Sequence, residues 1–131
     1  MKKTIIGLLI AGSMAANAAT PVIEFEALTE TKIIISKDQN ATVAYRVINK
    51  SSVPHVMVMQ PIRGVKEEAK AGSCNTSGAI GKDQSCLLSL RITGRMLEGN
   101  VSNAPVVCGD GSPNMCYKPQ RDQMLAITLV G

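Results

Sequence analysis

Apolar and polar side chains alternate with a period of two along residues 42–49 and 85–93. Successive side chains of a β-strand point to opposite faces, so this period is typical of a strand with one buried face. The positions predicted to face inward are Val43, Tyr45, Val47, Cys86, Leu88, Leu90 and Ile92. The two stretches predict the central strands of an all-β domain.

Shorter apolar or β-branched runs, separated by turn residues, predict further strands. They cover residues 21–28, 31–36, 53–60 and 123–130, and a hairpin-like excursion covers residues 106–117. Residues 65–71 fit either a strand or a helical turn, and residues 94–105 form a connection with a short strand near 95–97. Residues 20–131 are therefore predicted to form a single immunoglobulin-like β-sandwich of about seven strands.

The start of the chain has the three zones of a secretory signal peptide. Lys2 and Lys3 supply positive charge, residues 5–11 form an apolar run, and small residues end in Ala16-Asn17-Ala18-Ala19. The apolar run is shorter than the roughly 20 residues that a membrane-spanning helix needs. We expect residues 1–19 to be a cleaved signal peptide. The mature protein is then periplasmic or secreted, with no integral membrane segment.

Removal of this segment changes the charge balance. The whole chain has 14 Lys and Arg against 10 Asp and Glu. Without Lys2 and Lys3, 12 basic residues remain and the net charge falls from +4 to +2. No basic run exceeds two residues, so we expect no nucleic-acid partner. Aromatic residues are too few for a protein that stacks sugars or bases on aromatic faces, which leaves a protein as the predicted partner.

All four cysteines lie in the second half of the chain, and an even number in a small exported domain predicts a disulfide framework. Four cysteines allow three pairings, of which we favour Cys74–Cys86 and Cys108–Cys116. Each of these bonds closes a short loop rich in turn residues, which can bend to bring the two cysteines together. A metal site with His55 as a further ligand is disfavoured, because the spacings fit no common zinc motif.

Two segments resemble a known family. Residues 41–51, Ala-Thr-Val-Ala-Tyr-Arg-Val-Ile-Asn-Lys-Ser, resemble a strand motif of bacterial immunoglobulin-like domains of the PapD-like and major-sperm-protein groups. Cys74 followed by residues 81–90 resembles the family's signature of a local disulfide that leads into a core strand. The Phe-x-Pro usual after that strand is replaced by Thr93-Gly94. The tail with the last two cysteines resembles small exported proteins of Gram-negative bacteria. The resemblance implies a fold, and function does not follow from fold.

Candidate catalytic residues are few. His55 is the only histidine, and no nucleophile motif such as Gly-x-Ser-x-Gly accompanies it, so a structural role is favoured. Asp110 lies in a turn, where aspartate usually caps backbone groups. Glu67 and Glu68 indicate a solvated face. We therefore predict no enzymatic activity and no cofactor.

The predicted function is a non-catalytic interaction protein that acts through residues 61–72 and 108–116. Arg63 lies between turn-forming residues of the first loop, and a disulfide would fix the second loop in advance of binding. Arg63, Asp110 and Tyr117 are the candidate interaction residues. The alternative is a small secreted hydrolase or enzyme inhibitor whose site the sequence does not reveal.

Overall fold

The computed structural model describes residues 22–131, so the predicted signal peptide lies outside the described residues. The strands in chain order are β1 (Ile23–Ala27), β2 (Lys32–Ser36), β3 (Asn40–Asn49), β4 (His55–Met59), β5 (Val65–Glu67), β6 (Ala79–Ile80), β7 (Ser85–Thr93), β8 (Val101–Ala104), β9 (Val107–Gly109), β10 (Cys116–Tyr117) and β11 (Leu125–Val130). Two single-turn 3₁₀ helices cover Gly94–Met96 and Arg121–Gln123. The predicted all-β class is confirmed.

The strands form three hydrogen-bonded sheets with the orders β1-β3-β7-β5, β10-β9-β4-β6 and β2-β11-β8. Only Pro105 and Val106 separate β8 from β9, so the last two sheets form one layer. If β8 and β9 are counted as one interrupted strand, this layer carries the order β4, β8–β9, β11. With β1, β3, β4, β5, β7, β8–β9 and β11 lettered A to G in chain order, the two layers have the ABED and CFG orders of an immunoglobulin sandwich.

The central pair of strands, β3 and β7, builds the core as the alternating pattern predicts. Val43 lies opposite Leu90, and Tyr45 lies opposite Leu88. The inward side chains of both strands are buried. The hydroxyl of Tyr45 donates a hydrogen bond to the carbonyl oxygen of Gln123 at 2.7 Å, which joins β3 to the segment that precedes β11. A buried hydroxyl needs such a partner, because without one it would lose its hydrogen bonds to water.

The predicted strand count of about seven is wrong, since residues 22–131 contain eleven strands. The additional strands are two to four residues long, which is too short to show a period of two in the sequence. Residues 95–97 do not form the expected strand: Gly94–Met96 is a 3₁₀ helix, and the strand lies further on, in β8. Of the two alternatives for residues 65–71, the strand is correct, but it covers only β5.

Both predicted disulfides are present. Cys74 and Cys86 are joined with a Cα–Cα distance of 4.9 Å, and both are buried in the hydrophobic core. Cys108 and Cys116 are joined across the neighbouring strands β9 and β10. None of the described cysteines is free. The two bonds indicate an oxidising compartment, as expected for an exported protein.

The interpretation of Glu67 and Glu68 as a solvated face needs correction. Glu67 is half-buried, and its Oε2 atom has no hydrogen-bond partner within residues 22–131. Burial raises the pKa of the Glu67 carboxyl, while a backbone hydrogen bond from Asn75 acts in the opposite direction. The pattern of two adjacent acidic residues gave no sign of this, because their side chains point to different environments along one extended segment.

Candidate functional site

Strand β4 connects the two loops that the sequence proposes as interaction sites. It begins at His55 and ends at Met59, and β9 pairs with it in antiparallel fashion, with Val107 opposite Met59. Residues 110–115 therefore leave the sheet near the start of β4, whereas residues 60–64 leave it from the end. A strand rises about 3.3 Å per residue, so the two exits are roughly 15 Å apart. The structure thus places the two loops at opposite ends of one strand.

The loop that follows β9 is attached to the start of β4 through Asp110. One carboxylate oxygen of Asp110 lies 2.7 Å from Nδ1 of His55, and the other accepts a hydrogen bond from the backbone of Val56 at 2.9 Å. The backbone N–H of Asp110 donates to the carbonyl oxygen of Val56 at 2.7 Å. A carboxylate only accepts, so Nδ1 of His55 is the donor. These bonds hold the pKa of Asp110 below its usual range, chiefly through His55.

The arrangement of His55 and Asp110 matches two members of a catalytic triad, in which an acid orients the histidine. The ring of His55 is only 9% exposed, however. Among the hydrogen bonds of residues 22–131, no hydroxyl or thiol group contacts this ring. The observed partners give both residues a structural task, which is to fasten the loop after β9 to β4.

The Cys108–Cys116 disulfide lies beside the end of β4. Nε2 of Gln60 lies 3.7 Å from the sulfur of Cys108 and 4.0 Å from that of Cys116. The neighbouring candidate Tyr117 is half-buried and packs against the hydrophobic core. The disulfide therefore fixes the base of the loop, and Tyr117 contributes packing as well as surface.

A cleft of about 410 Å³ opens next to Gln60. Its lining consists of two segments, residues 60–63 and residues 98–104, which form its two walls, together with Val106. Clefts of this size are within the range of ligand sites in proteins. The lining is mixed, because apolar side chains such as Ile62 and Val101 alternate with amides, a hydroxyl and charged groups.

The mouth of this cleft carries Arg63, one of the candidates from the sequence. Its guanidinium lies 3.5 Å from the carboxylate of Glu98, and both side chains are more than 70% exposed. An ion pair this exposed contributes little to stability, so both groups are free to meet a ligand at small cost. Of the predicted segment 61–72, only residues 61–63 line the cleft, because β5 carries the chain into the other sheet.

The wall formed by residues 98–104 was not predicted from the sequence. Its polar members are Glu98, Asn100, Ser102 and Asn103. A run of polar residues after a predicted core strand indicates only a loop, and the proximity of this run to Arg63 depends on the pairing of β9 with β4. Asn103 has a positive φ of 57°. Asparagine tolerates this conformation better than most residues, so its residue type is the one local signal in this wall.

Residues 22–131 contain no group of three or more His, Cys, Asp or Glu side chains placed to hold a metal ion. They also contain no helix long and apolar enough to cross a membrane.

The chain matches no model of a known protein family. It also matches no curated protein sequence.

Proposed function

We propose that the protein is an exported interaction protein that holds a protein partner in the cleft between residues 60–63 and 98–104. The observation that carries this proposal is the cleft itself, which places Arg63 at its mouth. Its walls are connecting segments and a short strand presented by a rigid two-layer scaffold, and binding residues commonly occupy such positions. Periplasmic and secreted locations both fit the two disulfides.

A hydrolase remains the second candidate, because Asp110 orients His55 as the acid of a triad would. Two features favour binding over catalysis. The cleft lies at the end of β4, whereas His55 lies at the start. The imidazole is also buried, so a substrate would have to reach it through the packed start of the strand.

The test is affinity capture from periplasmic extract and from culture medium, with the disulfide-intact mature protein as bait. Ser102→Trp fills the cleft from β8, and Thr128→Trp places the same bulk on the exposed face of β11. We expect the Thr128→Trp bait to retain the partner and the Ser102→Trp bait to lose it. Recovery of the same proteins by both baits would show that the cleft is not the binding site.

A second pair of variants tests the charge at the mouth. Arg63→Ala removes one half of the Arg63–Glu98 pair, and Arg46→Ala removes one half of the exposed Arg46–Glu26 pair on the other layer. Neither change should alter stability much, because exposed ion pairs are worth about 0–1 kcal/mol. Weaker capture with Arg63→Ala alone supports the proposal, and equal capture with both variants argues against a role for Arg63.

A further inference from the structure

Both walls of the cleft are lined by consecutive residues, 60–63 on one side and 98–104 on the other. In an extended segment, side chains alternate between two faces. All four residues of β8, 101–104, line the cleft, so this strand borders it with a backbone edge and not with one face of side chains. Main-chain N–H and C=O groups of β8 are therefore expected to border the cleft.

Among residues 22–131, no strand pairs with the edge of β8 that borders the cleft. The ladder between β4 and β9 ends with a hydrogen bond of 2.8 Å from the backbone N–H of Gln60 to the carbonyl oxygen of Val106. The next residue, Pro61, has no N–H to continue the ladder. The chain then turns away, with the N–H of Val65 donating to the carbonyl oxygen of Ile62 at 3.0 Å. Residues 61–63 therefore do not extend the ladder, and the edge of β8 remains without a paired strand.

The backbone hydrogen bonds agree with this geometry. Within the described part of the chain, residues 98–105 make backbone–backbone hydrogen bonds only in the ladder with β11. That ladder contains a bulge, since two residues of β8, Ser102 and Asn103, lie opposite the single residue Ala126. Bulges are over-represented next to functional sites, where they reorient the strand.

We propose that the occupant of the cleft is an extended peptide segment of a protein partner, which pairs its backbone with the free edge of β8. This inference rests on the proposed function and specifies its partner. A free strand edge offers main-chain donors and acceptors, and extended peptides bind other sheet edges through such groups. The segment in contact would be about as long as β8, which has four residues.

Two features favour a single peptide segment over other occupants. The mouth carries one positive and one negative side chain, Arg63 and Glu98, so the cleft offers no excess charge to select an ion. Residues 60–63 lie across the cleft from the edge of β8 and obstruct the approach of a whole sheet. Edge-to-edge pairing of two sheets needs a strand that is open on that side. A second folded copy of this chain is therefore a poorer fit than one extended segment.

The test uses a phage-displayed library of random linear peptides, selected on the disulfide-intact mature protein. Enriched peptides are synthesised and their affinities are measured by fluorescence polarisation for the wild type, Ser102→Trp and Thr128→Trp. Each peptide is also prepared with single N-methyl groups along its backbone. In a strand, every second N–H faces the neighbouring edge. We expect N-methylation at alternate positions to weaken binding about tenfold, which corresponds to roughly 1.4 kcal/mol for a lost hydrogen bond, and to have little effect in between.

The outcomes separate this inference from the proposed function. Alternating sensitivity to N-methylation, together with loss of binding in Ser102→Trp alone, supports strand pairing. Peptides that bind in the cleft but tolerate every N-methyl group overturn the pairing and leave the cleft as the site. No enriched peptide, with a folded protein still captured in a manner sensitive to Ser102→Trp, overturns the peptide partner alone. If Ser102→Trp changes neither peptide binding nor protein capture, both proposals are overturned.

Discussion

The carboxylate of Asp110 lies 2.7 Å from Nδ1 of His55, although 55 residues separate the two in the sequence. The same carboxylate also accepts the backbone N–H of Val56. One side chain thus fastens the loop after β9 to the start of β4. Because these bonds require an ionised carboxylate, the stability of this attachment depends on pH.

Asp110→Asn is expected to lower the melting temperature at neutral pH. The pKa of Asp110 is lowered in the folded protein, so its stabilisation is complete above the unfolded value of about 3.9. It is lost as the pH falls through the folded value. The difference in melting temperature between wild type and variant should therefore shrink to zero in strong acid. Asp122→Asn, at an exposed position, is the control. A difference in melting temperature that persists at about pH 2 would mean that the shape of the side chain, and not its charge, causes the effect.

Glu67→Gln and Glu68→Gln are expected to act with opposite signs. Burial raises the pKa of Glu67, so its ionisation costs stability as the pH rises above about 4.3. The glutamine keeps an acceptor for Asn75 and removes the charge. We expect it to stabilise the protein at pH 7, because the cost of ionising this carboxyl is removed.

The neighbour supplies the matched control. The hydroxyl of Ser89 donates to the carboxylate of Glu68 at 2.7 Å and is the main cause of the lowered pKa of this group. Its stabilisation is present above the unfolded pKa and lost as the pH falls through the folded one. Glu68→Gln should therefore destabilise the protein at pH 7. Urea unfolding at pH 4 and pH 7 measures both variants, and changes of the same sign would contradict the assignment.

The central strands and the disulfide pairing were predictable from the sequence, for physical reasons. Strands β3 and β7 are nine or ten residues long, so each shows several cycles of the period-two pattern. The predicted bounds of β7, residues 85–93, are those observed. The cysteine pairs close short loops, which limits the partners that each cysteine can reach.

The cleft could not be predicted in the same way. Arg63 was identified as a displayed residue, but its opposite wall, residues 98–104, depends on pairing between strands distant in the sequence. The contact of His55 with Asp110 has the same origin, because it requires β9 to lie against β4 in one register. Local patterns carry no information on such register, which many weak contacts determine together.

Loss of either disulfide is expected to destabilise the protein, with the larger effect at Cys74–Cys86. Closure of loops of this size contributes about 2–3 kcal/mol. Cys74 and Cys86 are both buried, whereas Cys116 of the second pair is only partly buried, so the double alanine variant at 74 and 86 also loses more packing. Urea unfolding of the two double variants measures which disulfide contributes more to stability. Mass spectrometry of non-reduced peptides checks the pairing, and a Cys74–Cys108 peptide would contradict it.

Gly94→Ala is expected to destabilise the protein by about 1–3 kcal/mol through overpacking. An added Cβ at Gly94 would collide with the backbone carbonyl oxygens of Ser36 and Gln39, which cannot move as a flexible side chain can. Gly99→Ala is the matched control, because nothing lies within 4 Å of its added Cβ. Its effect should be within about 0.5 kcal/mol. Equal stability of both variants would show that the backbone of the turn after β7 can shift to make room for the added Cβ at little cost. The close approach explains why glycine follows Thr93.

Asn49→Ala is expected to cost about 3 kcal/mol of stability, because one buried side chain holds three segments together. Its Nδ2 group donates to the carbonyl oxygens of Val53 and Ile80, at 2.9 and 2.8 Å, and its Oδ1 atom accepts the backbone N–H of Ser51 at 2.8 Å. Alanine leaves these groups without their partner at a position that is fully buried in the folded protein. Asn40→Ala, at the exposed start of β3, should change stability by less than about 0.5 kcal/mol. Urea unfolding compares the two, and a small loss for Asn49→Ala would mean that water replaces the amide in this turn.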